Sequence, residues 1–332
     1  MIKKAALIVF LLAAVGLTLF SIFEIEITRP NNGAGFEVFE IKKGESVQAV
    51  AKRLHKSGII SSPLFFEMES RLKGVEGKIH AGEYRLPLNL SARAILKLFI
   101  KGRTILHSVT IPEGLTLHEI AKVMEKSGLM NAEEFIIAAS DSTILASFNL
   151  PWKNAEGYLF PETYSLPKGI TPREAVKAMI KTFFDKVKNV LPENVVANPV
   201  ELKKIVTLAS IIEKETGAGH ERKVISAVFN NRLRIGMRLQ SDPTVIYAMP
   251  HFDGNIRKKD LEYDSPYNTY LYKGLPPGPI ASPGLDSILA ALFPEKVDYL
   301  YFVSKNNGEH QFSRTLKEHN NAVKRYQIRR KN

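Results

Sequence analysis

The feature that most constrains this chain is an uncharged apolar run near its N-terminus, over residues 5–23. Nineteen residues of α-helix rise about 28 Å, close to the roughly 30 Å hydrocarbon core of a bilayer. A cleaved signal peptide has a shorter apolar core followed by a small-x-small site, and no such site follows this run. The sequence therefore predicts an uncleaved transmembrane helix over residues 5–24 rather than a signal peptide.

Charged residues on the two sides of this run predict its orientation. Two lysines, the second of them Lys4, precede the run, whereas glutamates from Glu24 onward follow it. Because positively charged flanks stay in the cytoplasm, residues 1–4 are predicted to be cytoplasmic and the chain after the helix periplasmic, anchored in the inner membrane. Residues 25–36 contain proline, asparagine and glycine, and they are predicted to form a linker.

The composition indicates folded domains rather than disorder. With 332 residues, 45% of them apolar and 24% charged, the chain is long enough for two or three domains. A net charge of +12 favours anionic partners such as nucleic acid, anionic lipid or acidic wall polymers. The predicted location argues against nucleic acid, and no zinc-finger spacing, RNP-like strand or basic heptad is present. The absence of cysteine excludes disulfides and thiolate metal sites.

An internal repeat becomes visible when the sequence is shifted by seventy residues, since residues 41–65 and 111–135 then share eight identities. Each copy is predicted to form a strand end, a glycine turn and a helix with one apolar stripe. Ser and Thr stand at the N-cap positions, and a glycine suited to a left-handed conformation follows each helix. These predicted N-caps and closing glycines are Ser46, Thr116, Gly58 and Gly128.

The first copy, residues 37–104, resembles a LysM module, and residues 105–150 form a second, more divergent LysM-like region. LysM modules generally bind polymers of N-acetylglucosamine. A βα repeat can equally serve as scaffold alone, so glycan binding and a purely structural role both remain open for these copies.

Several familiar chemistries can be set aside. His118 begins a His-Glu pair, but Lys122 occupies the position of the second histidine that a zincin helix needs. No G-x-S-x-G elbow is present. Ser165 and Lys168 match the S-x-x-K pattern of penicillin-binding proteins, yet Pro167 denies this segment the required helix. The candidate chemistry that is left after these exclusions is acid–base catalysis by carboxylates.

Hydrophobic patterning in the second half predicts three helices, a terminal hairpin and a final helix. Loops rich in glycine, proline, asparagine and tyrosine are predicted beyond Met249. The predicted helices are 172–190, 199–217, 221–235 and 315–330, the strand is 299–304, and the turn is 306–308.

Two glutamates near the end of the predicted helix 199–217 are the candidate acids. Relative to the apolar stripe of this helix, Glu213 and Glu215 lie on opposite flanks, each half toward the core. Partial burial raises the pKa of a carboxyl toward the range that is useful for protonating a glycosidic oxygen. Ordinary ion pairs at the end of a helix explain both glutamates equally well, and periodicity does not show which of the two is catalytic.

Longer motifs carry a resemblance to a known family. Residues 209–216 resemble the active-site helix of the MltG (YceG-like) endolytic murein transglycosylases, and further matches occur in the same order along nearly the whole chain. These matching segments are 156–163, 228–233, 236–247, 267–270, 274–278, 299–303 and 310–320. The resemblance implies an α+β fold: a transmembrane helix, LysM-like βα modules, and a mixed α+β YceG-like catalytic domain over residues 151–332.

The resemblance also implies a reaction. In this family the catalytic glutamate directly precedes a hydroxyl residue, which selects Glu215, next to Thr216. The implied reaction cleaves the β-1,4 bond between N-acetylmuramic acid and N-acetylglucosamine. Glu215 protonates the leaving oxygen and then acts as base toward the muramic C6 hydroxyl, which leaves a 1,6-anhydro end. Because the substrate supplies the nucleophile, a second carboxylate is not required, and no metal or cofactor is implied.

Polar and aromatic residues are expected to line the sugar site around Glu215, although turn formation explains many of them as well. Those after residue 239 are placed in a polar loop, and Asp242 is the alternative catalytic carboxylate. The expected partners are peptidoglycan glycan strands and, by resemblance, penicillin-binding proteins. A non-catalytic wall-binding scaffold and a hydrolytic muramidase are the alternative functions. The expected lining residues are Gln240, Ser241, Asp242, Thr244, Tyr267, Asn268, Tyr270, Tyr158 and Glu162.

Overall fold

The computed structural model describes residues 2–328, and the chain divides into two compact units. The first unit runs to Ser108 and also includes Ser165–Ile170. The second unit comprises Val109–Tyr164 and the chain from Thr171 onward. Helices and short two-stranded antiparallel sheets occur in both units, which makes the protein a mixed α+β structure as predicted.

The apolar N-terminal run forms the long helix α1 (Ile2–Thr28). Its part from Lys3 to Thr28 is long and apolar enough to cross a membrane, with a mean hydropathy of 2.7. The predicted linker is wrong at its start, because residues 25–28 continue this helix. Phe23 and Ile27 are buried in the hydrophobic core of the first unit, and this burial stabilises the additional helical turn.

The first unit continues with a strand, two helices, a returning strand and a further helix. In the two-stranded sheet, Phe36 lies opposite Pro87 and Ile41 lies opposite Gly82. The core lies between this sheet and the helices, where Phe66, Leu54 and Phe99 are fully buried. The elements are β1 (Phe36–Ile41), α2 (Val47–Lys56), α3 (Pro63–Leu72), β2 (Gly82–Pro87) and α4 (Ala92–Lys101).

A buried ion cluster joins the end of α1 to the first unit. Glu69 on α3 is only 2% exposed and lies 2.7 Å from Arg93 and 2.8 Å from Lys73. The Arg93 guanidinium also contacts Glu24 of α1 at 2.8 Å. Because a buried carboxylate needs such partners, this cluster fixes the end of α1 on the unit.

The second copy of the repeat has the same order of elements with one extra helix. It comprises β3 (Leu106–Thr110), α5 (Leu117–Lys126), α6 (Ala132–Ala139), α7 (Ser142–Ser147) and β4 (Thr163–Pro167). Strand β3 pairs with β4, as β1 pairs with β2. Both predicted N-caps are confirmed, since Ser46 accepts from the Ala49 amide and Thr116 from the Glu119 amide. The closing glycines are also confirmed in the left-handed region, with φ 70° at Gly58 and 73° at Gly128.

The rest of the second unit is built around one buried helix, α10, which packs against α13 and α11. Its apolar residues from Leu202 to Ile212 are buried. The elements are α8 (Pro172–Val187), α9 (Glu193–Val196), α10 (Pro199–Glu215), α11 (Arg222–Arg234), α12 (Asp242–Ala248), α13 (Leu285–Leu292), β5 (Tyr301–Ser304), β6 (His310–Ser313) and α14 (Leu316–Val323).

Three sequence predictions for this unit need correction. The polar loop predicted around residues 240–244 is a loop only as far as Ser241, because Asp242 begins α12 and Pro243 fits the first helical turn. The loops predicted beyond Met249 include the short helix α13. The final helix is regular only to Val323 and continues to residue 328 with wider π-type turns, whereas residues 329 and 330 lie outside the described residues.

Candidate functional site

Glu215 is the last residue of the buried helix α10. The chain leaves the helix at Thr216, whose backbone is extended with φ −143° and ψ 135°. The Glu215 side chain is half-buried, and its Oε1 accepts a hydrogen bond of 2.5 Å from the hydroxyl of the buried Ser241. In the described part of the chain, no lysine, arginine or histidine forms an ion pair with it. The carboxyl is therefore positioned by a neutral donor.

The environment of Glu215 shifts its proton equilibrium. Burial raises the pKa of Glu215 from 4.5 to about 7, although the Ser241 hydrogen bond favours the charged form. The negative charge of Asp242 also raises this pKa, whereas the positive charge of Arg232 lowers it. A carboxyl with a pKa near 7 is protonated often enough at neutral pH to serve as a general acid.

Glu213 has a different environment, although it lies only two residues earlier on the same helix. Its side chain is 7% exposed and accepts a hydrogen bond of 3.2 Å from the Arg222 guanidinium. Its other oxygen accepts from the Gly284 amide at 3.0 Å. Both carboxylate oxygens are thus engaged in contacts that hold α10 to its neighbours, so the geometry favours Glu215 as the proton donor.

A second carboxyl, Asp242, lies next to Ser241 at the start of α12. The Tyr270 hydroxyl donates a 2.5 Å hydrogen bond to Asp242 Oδ1. This contact brings the predicted residues Ser241, Asp242 and Tyr270 together beside Glu215. The site therefore holds the Glu215 carboxyl, which has a raised pKa, and next to it the Asp242 carboxyl, which accepts a hydrogen bond from the Tyr270 hydroxyl.

Arg232 supplies the nearby positive charge, and the sequence reasoning missed it. It is 7% exposed, and its guanidinium donates to the carbonyls of Leu239 at 2.5 Å and Leu300 at 2.7 Å. These bonds hold the arginine in place, and no carboxylate of the described residues pairs with it. A sequence signal existed, because Arg232 lies three and four residues after the apolar Phe229 and Val228, on the buried face of α11.

Gln240 and Thr244 flank the Ser241–Asp242 pair in opposite ways. Gln240 adopts a φ of 50°, which is uncommon outside glycine, and its exposed side chain forms no hydrogen bond within the described residues. Thr244 is fully buried, and its hydroxyl donates to the Ser241 carbonyl at 2.7 Å. Gln240 is thus free to contact a ligand, whereas Thr244 supports the backbone beneath the site.

Asn268 is occupied by its own loop. It is fully buried, and its amide nitrogen donates to the carbonyls of Leu261 at 2.9 Å and Tyr263 at 2.8 Å. Its amide oxygen accepts from the Tyr270 backbone at 2.9 Å. All of these bonds stay within the loop, so Asn268 positions Tyr270 and has little capacity left for a sugar.

The remaining predicted residues lie in other surroundings. Tyr158 is 1% exposed and, together with Tyr267, lines a separate cavity. Glu162 forms an ion pair of 2.6 Å with Lys186 of α8. The contacts of these three residues do not include Glu215, Ser241 or Asp242.

Glu156 is a second carboxyl whose pKa is raised to about 7, again mainly by burial. Its oxygens accept from the Leu117 amide at 3.0 and 3.1 Å and from the Tyr247 hydroxyl at 3.2 Å. Leu117 is the first residue of α5, so Glu156 binds a free amide at that helix N-terminus. These contacts indicate a structural role for Glu156.

Comparisons with known proteins agree with this architecture. The family model described as the YceG-like family matches residues 39–325. An endolytic murein transglycosylase of Bacillus subtilis is 39% identical over 302 residues, covering 86% of this chain and 83% of that protein. One from Streptococcus pneumoniae is 31% identical over 324 residues, and the match spans 88% of this chain but only 58% of that longer protein.

A solved structure extends the comparison to the fold. The crystal structure of a yceG-like protein from Listeria monocytogenes superposes with a TM-score of 0.58 at 33% identity, covering 86% of this chain and 98% of that one. Fold and site together define an α+β protein with a candidate general acid at the end of a buried helix. The chain belongs to the YceG-like family.

Proposed function

We propose that this chain is an endolytic lytic transglycosylase that cleaves the bond between N-acetylmuramic acid and N-acetylglucosamine in peptidoglycan glycan strands. The observation that carries the proposal is the Glu215 carboxyl, which has a pKa near 7 and no ion-pair partner in the described chain. The names of the Bacillus and Streptococcus relatives support the same substrate and reaction class.

Glu215 acts first as acid and then as base. Its proton goes to the glycosidic oxygen as the bond to the muramic C1 breaks. The carboxylate that results accepts the proton of the muramic C6 hydroxyl, whose oxygen bonds to C1 and closes the 1,6-anhydro ring. Ser241 orients the carboxyl, and the charge of Arg232 stabilises its ionised form between the two steps.

The N-terminal helix places this reaction near a membrane. α1 spans the inner membrane once, and the chain that follows it is periplasmic. The strand–helix–helix–strand part of the first unit is a LysM-like module, and penicillin-binding proteins that synthesise the strands are the protein partners. The domain order is then a cytoplasmic N-terminus, an anchor, LysM-like repeats and a catalytic domain.

A digest of purified glycan strands tests the proposed reaction, and the full chain in detergent is the form to assay. Removing α1 would also remove Phe23 and Ile27 from the core of the first unit. Mass spectrometry is expected to find products that end in 1,6-anhydro-muramic acid. Products with reducing muramic ends would instead show hydrolysis, for which Asp242 would be the second carboxylate. If no saccharide is released, the scaffold function is favoured.

The pH dependence of cleavage tests the role of the Glu215 proton. Because the first step needs the protonated form, the rate is expected to fall as the pH rises through about 7. Replacing Ser241 by alanine removes a hydrogen bond that favours the charged form, so this descending limb should move to higher pH. A pH–rate profile of both proteins checks this, and a limb that stays in place in Ser241→Ala would contradict it.

A further inference from the structure

The second unit contains a cavity of about 680 Å³ that the proposed reaction does not use. Its walls come from separate chain segments and are mainly aromatic rings and prolines, with Lys203 and the exposed Lys153 as the lysines. The buried Glu156 also lines the cavity, but its oxygens already accept hydrogen bonds from the Leu117 amide and the Tyr247 hydroxyl. The residues that define its chemistry are Trp152, Tyr158, Lys203, Tyr267 and Pro279. A space of this size is in the range of ligand-binding pockets.

Two buried polar atoms and one half-buried ammonium at the cavity have no hydrogen-bond or ion-pair partner of normal geometry in the described chain. The Lys203 ammonium lies 3.9 Å from the centre of the Trp152 ring, and no carboxylate of the described chain pairs with it. The Trp152 indole N–H lies beside the Tyr158 hydroxyl and slightly favours its ionised form, and neither atom has a hydrogen-bond partner of normal geometry within the described residues. Tyr158 itself is 1% exposed.

These groups share one chemical preference. An indole N–H, a phenol O–H and an ammonium are all hydrogen-bond donors, and unpaired buried donors are costly. A carboxylate is an acceptor with two oxygens, and it also neutralises the lysine. The aromatic rings and prolines around them suit short apolar side chains next to that carboxylate.

We propose that this cavity binds the terminal carboxylate of a short acidic peptide, namely the stem peptide carried by the glycan substrate. The assignment of the peptide to a substrate rests on the proposed transglycosylase function, whereas the carboxylate site stands on the three donors alone. The cavity is then a specificity site that favours strands bearing peptide over bare glycan.

The position of the cavity fits a peptide that begins at the candidate active site. Tyr267 lines the cavity, and Tyr270, three residues later, contacts Asp242 beside Ser241. Along α10, Lys203 and Glu215 are twelve residues apart, a rise of about 18 Å. An extended peptide of about five residues spans roughly 17 Å. A stem peptide on a sugar held at Glu215 is therefore comparable in length to the distance along the helix to Lys203.

The single tryptophan of the chain makes this site directly measurable, because Trp152 is the only source of indole fluorescence. The probe is a diacetylated Lys-D-Ala-D-Ala tripeptide, whose only charge is its terminal carboxylate. Titration into the full chain in detergent should give a saturable change in fluorescence. The same tripeptide with a C-terminal amide should bind at least about tenfold more weakly, since a charge-assisted hydrogen bond is lost.

Two adjacent lysines provide a matched pair of variants. Lys203→Gln removes the unpaired ammonium and is expected to weaken binding of the acid probe about tenfold. Lys204→Gln changes the next residue of the same helix, an exposed lysine paired with Glu201 at 2.9 Å, and should leave probe binding unchanged. Circular dichroism of both variants checks that α10 remains folded.

The outcomes separate this inference from the proposed function. Equal binding of acid and amide, no saturable change, or equal effects of the two lysine variants would each overturn the carboxylate site. Glu215→Gln should bind the probe like the unaltered protein, because Glu215 does not line the cavity. If the probe binds at Lys203 but the protein cleaves no glycan, the carboxylate site stands and the transglycosylase proposal fails.

Discussion

Replacing Glu215 by glutamine is expected to lower the rate of glycan cleavage by about 10²–10⁴-fold, the usual contribution of a general acid–base group. The glutamine amide keeps the size of the carboxyl, and its oxygen can still accept the Ser241 hydrogen bond, so the fold should be unchanged. It cannot deliver a proton to the leaving oxygen or accept one from the C6 hydroxyl. Initial rates on purified strands, followed by chromatography of the released saccharides, measure the loss.

Glu213→Gln is the matched control, because it makes the same chemical change two residues away. Its carboxylate holds Arg222 and the Gly284 amide, so its loss should lower the melting temperature more than Glu215→Gln does. At temperatures well below unfolding, cleavage should remain within about tenfold of the unaltered protein, because the lost ion pair lowers the stability of the fold but leaves the Glu215 proton donor in place. A greater loss of activity in Glu213→Gln than in Glu215→Gln would reverse the assignment.

Local signals make the helices and the repeat predictable from sequence. At Ser46 and Thr116, the side chain accepts a hydrogen bond from the amide three residues later. Both partners of each cap therefore lie within one short stretch of sequence. The apolar stripe predicts the buried helix α10, and its predicted end at 217 differs from Glu215 by two residues. The positions of the helices with such caps and stripes therefore follow from short-range chemistry, whereas the α+β fold class comes from the family resemblance.

Features that depend on distant residues are not predictable in the same way. Periodicity does not separate Glu213 from Glu215, because the difference comes from Gly284 and Ser241, which lie many residues further along the chain. The same reason explains why Asn268 is not a sugar ligand. Its side-chain amide donates to two carbonyls of its own loop.

The start of the predicted linker and the cavity also depend on residues that are distant in sequence. Residues 25–28 look like the beginning of a linker, but Ile27 fills the core of the first unit and keeps the segment helical. The cavity brings Trp152, Lys203 and Tyr267 together from three separate segments. No local pattern places these side chains around one space, so only the folded structure reveals it.

Arg222 carries the second large expected effect, this time on stability. Its side chain is 13% exposed and lies among three carboxylates of the second unit: Glu213 at 3.2 Å, Glu113 at 3.8 Å and Asp286 at 4.0 Å. Arg222→Met keeps much of the apolar length and removes the charge, which leaves the buried Glu213 without its cation. Breaking a buried pair in this way typically costs about 3–5 kcal/mol.

Arg234→Met provides the comparison, because it makes the same change at the other end of α11. Within the described residues, the exposed Arg234 forms its side-chain hydrogen bond with Asn231 of its own helix and no ion pair, so its replacement should change the free energy of unfolding by less than about 0.5 kcal/mol. Urea unfolding of the full chain in detergent, followed by far-UV circular dichroism, measures both variants. Equal stability of the two would mean that Glu213 finds another partner or water when Arg222 is removed. Since Glu213 lies two residues before Glu215, that result would also weaken the view that Glu213 is structural and Glu215 catalytic.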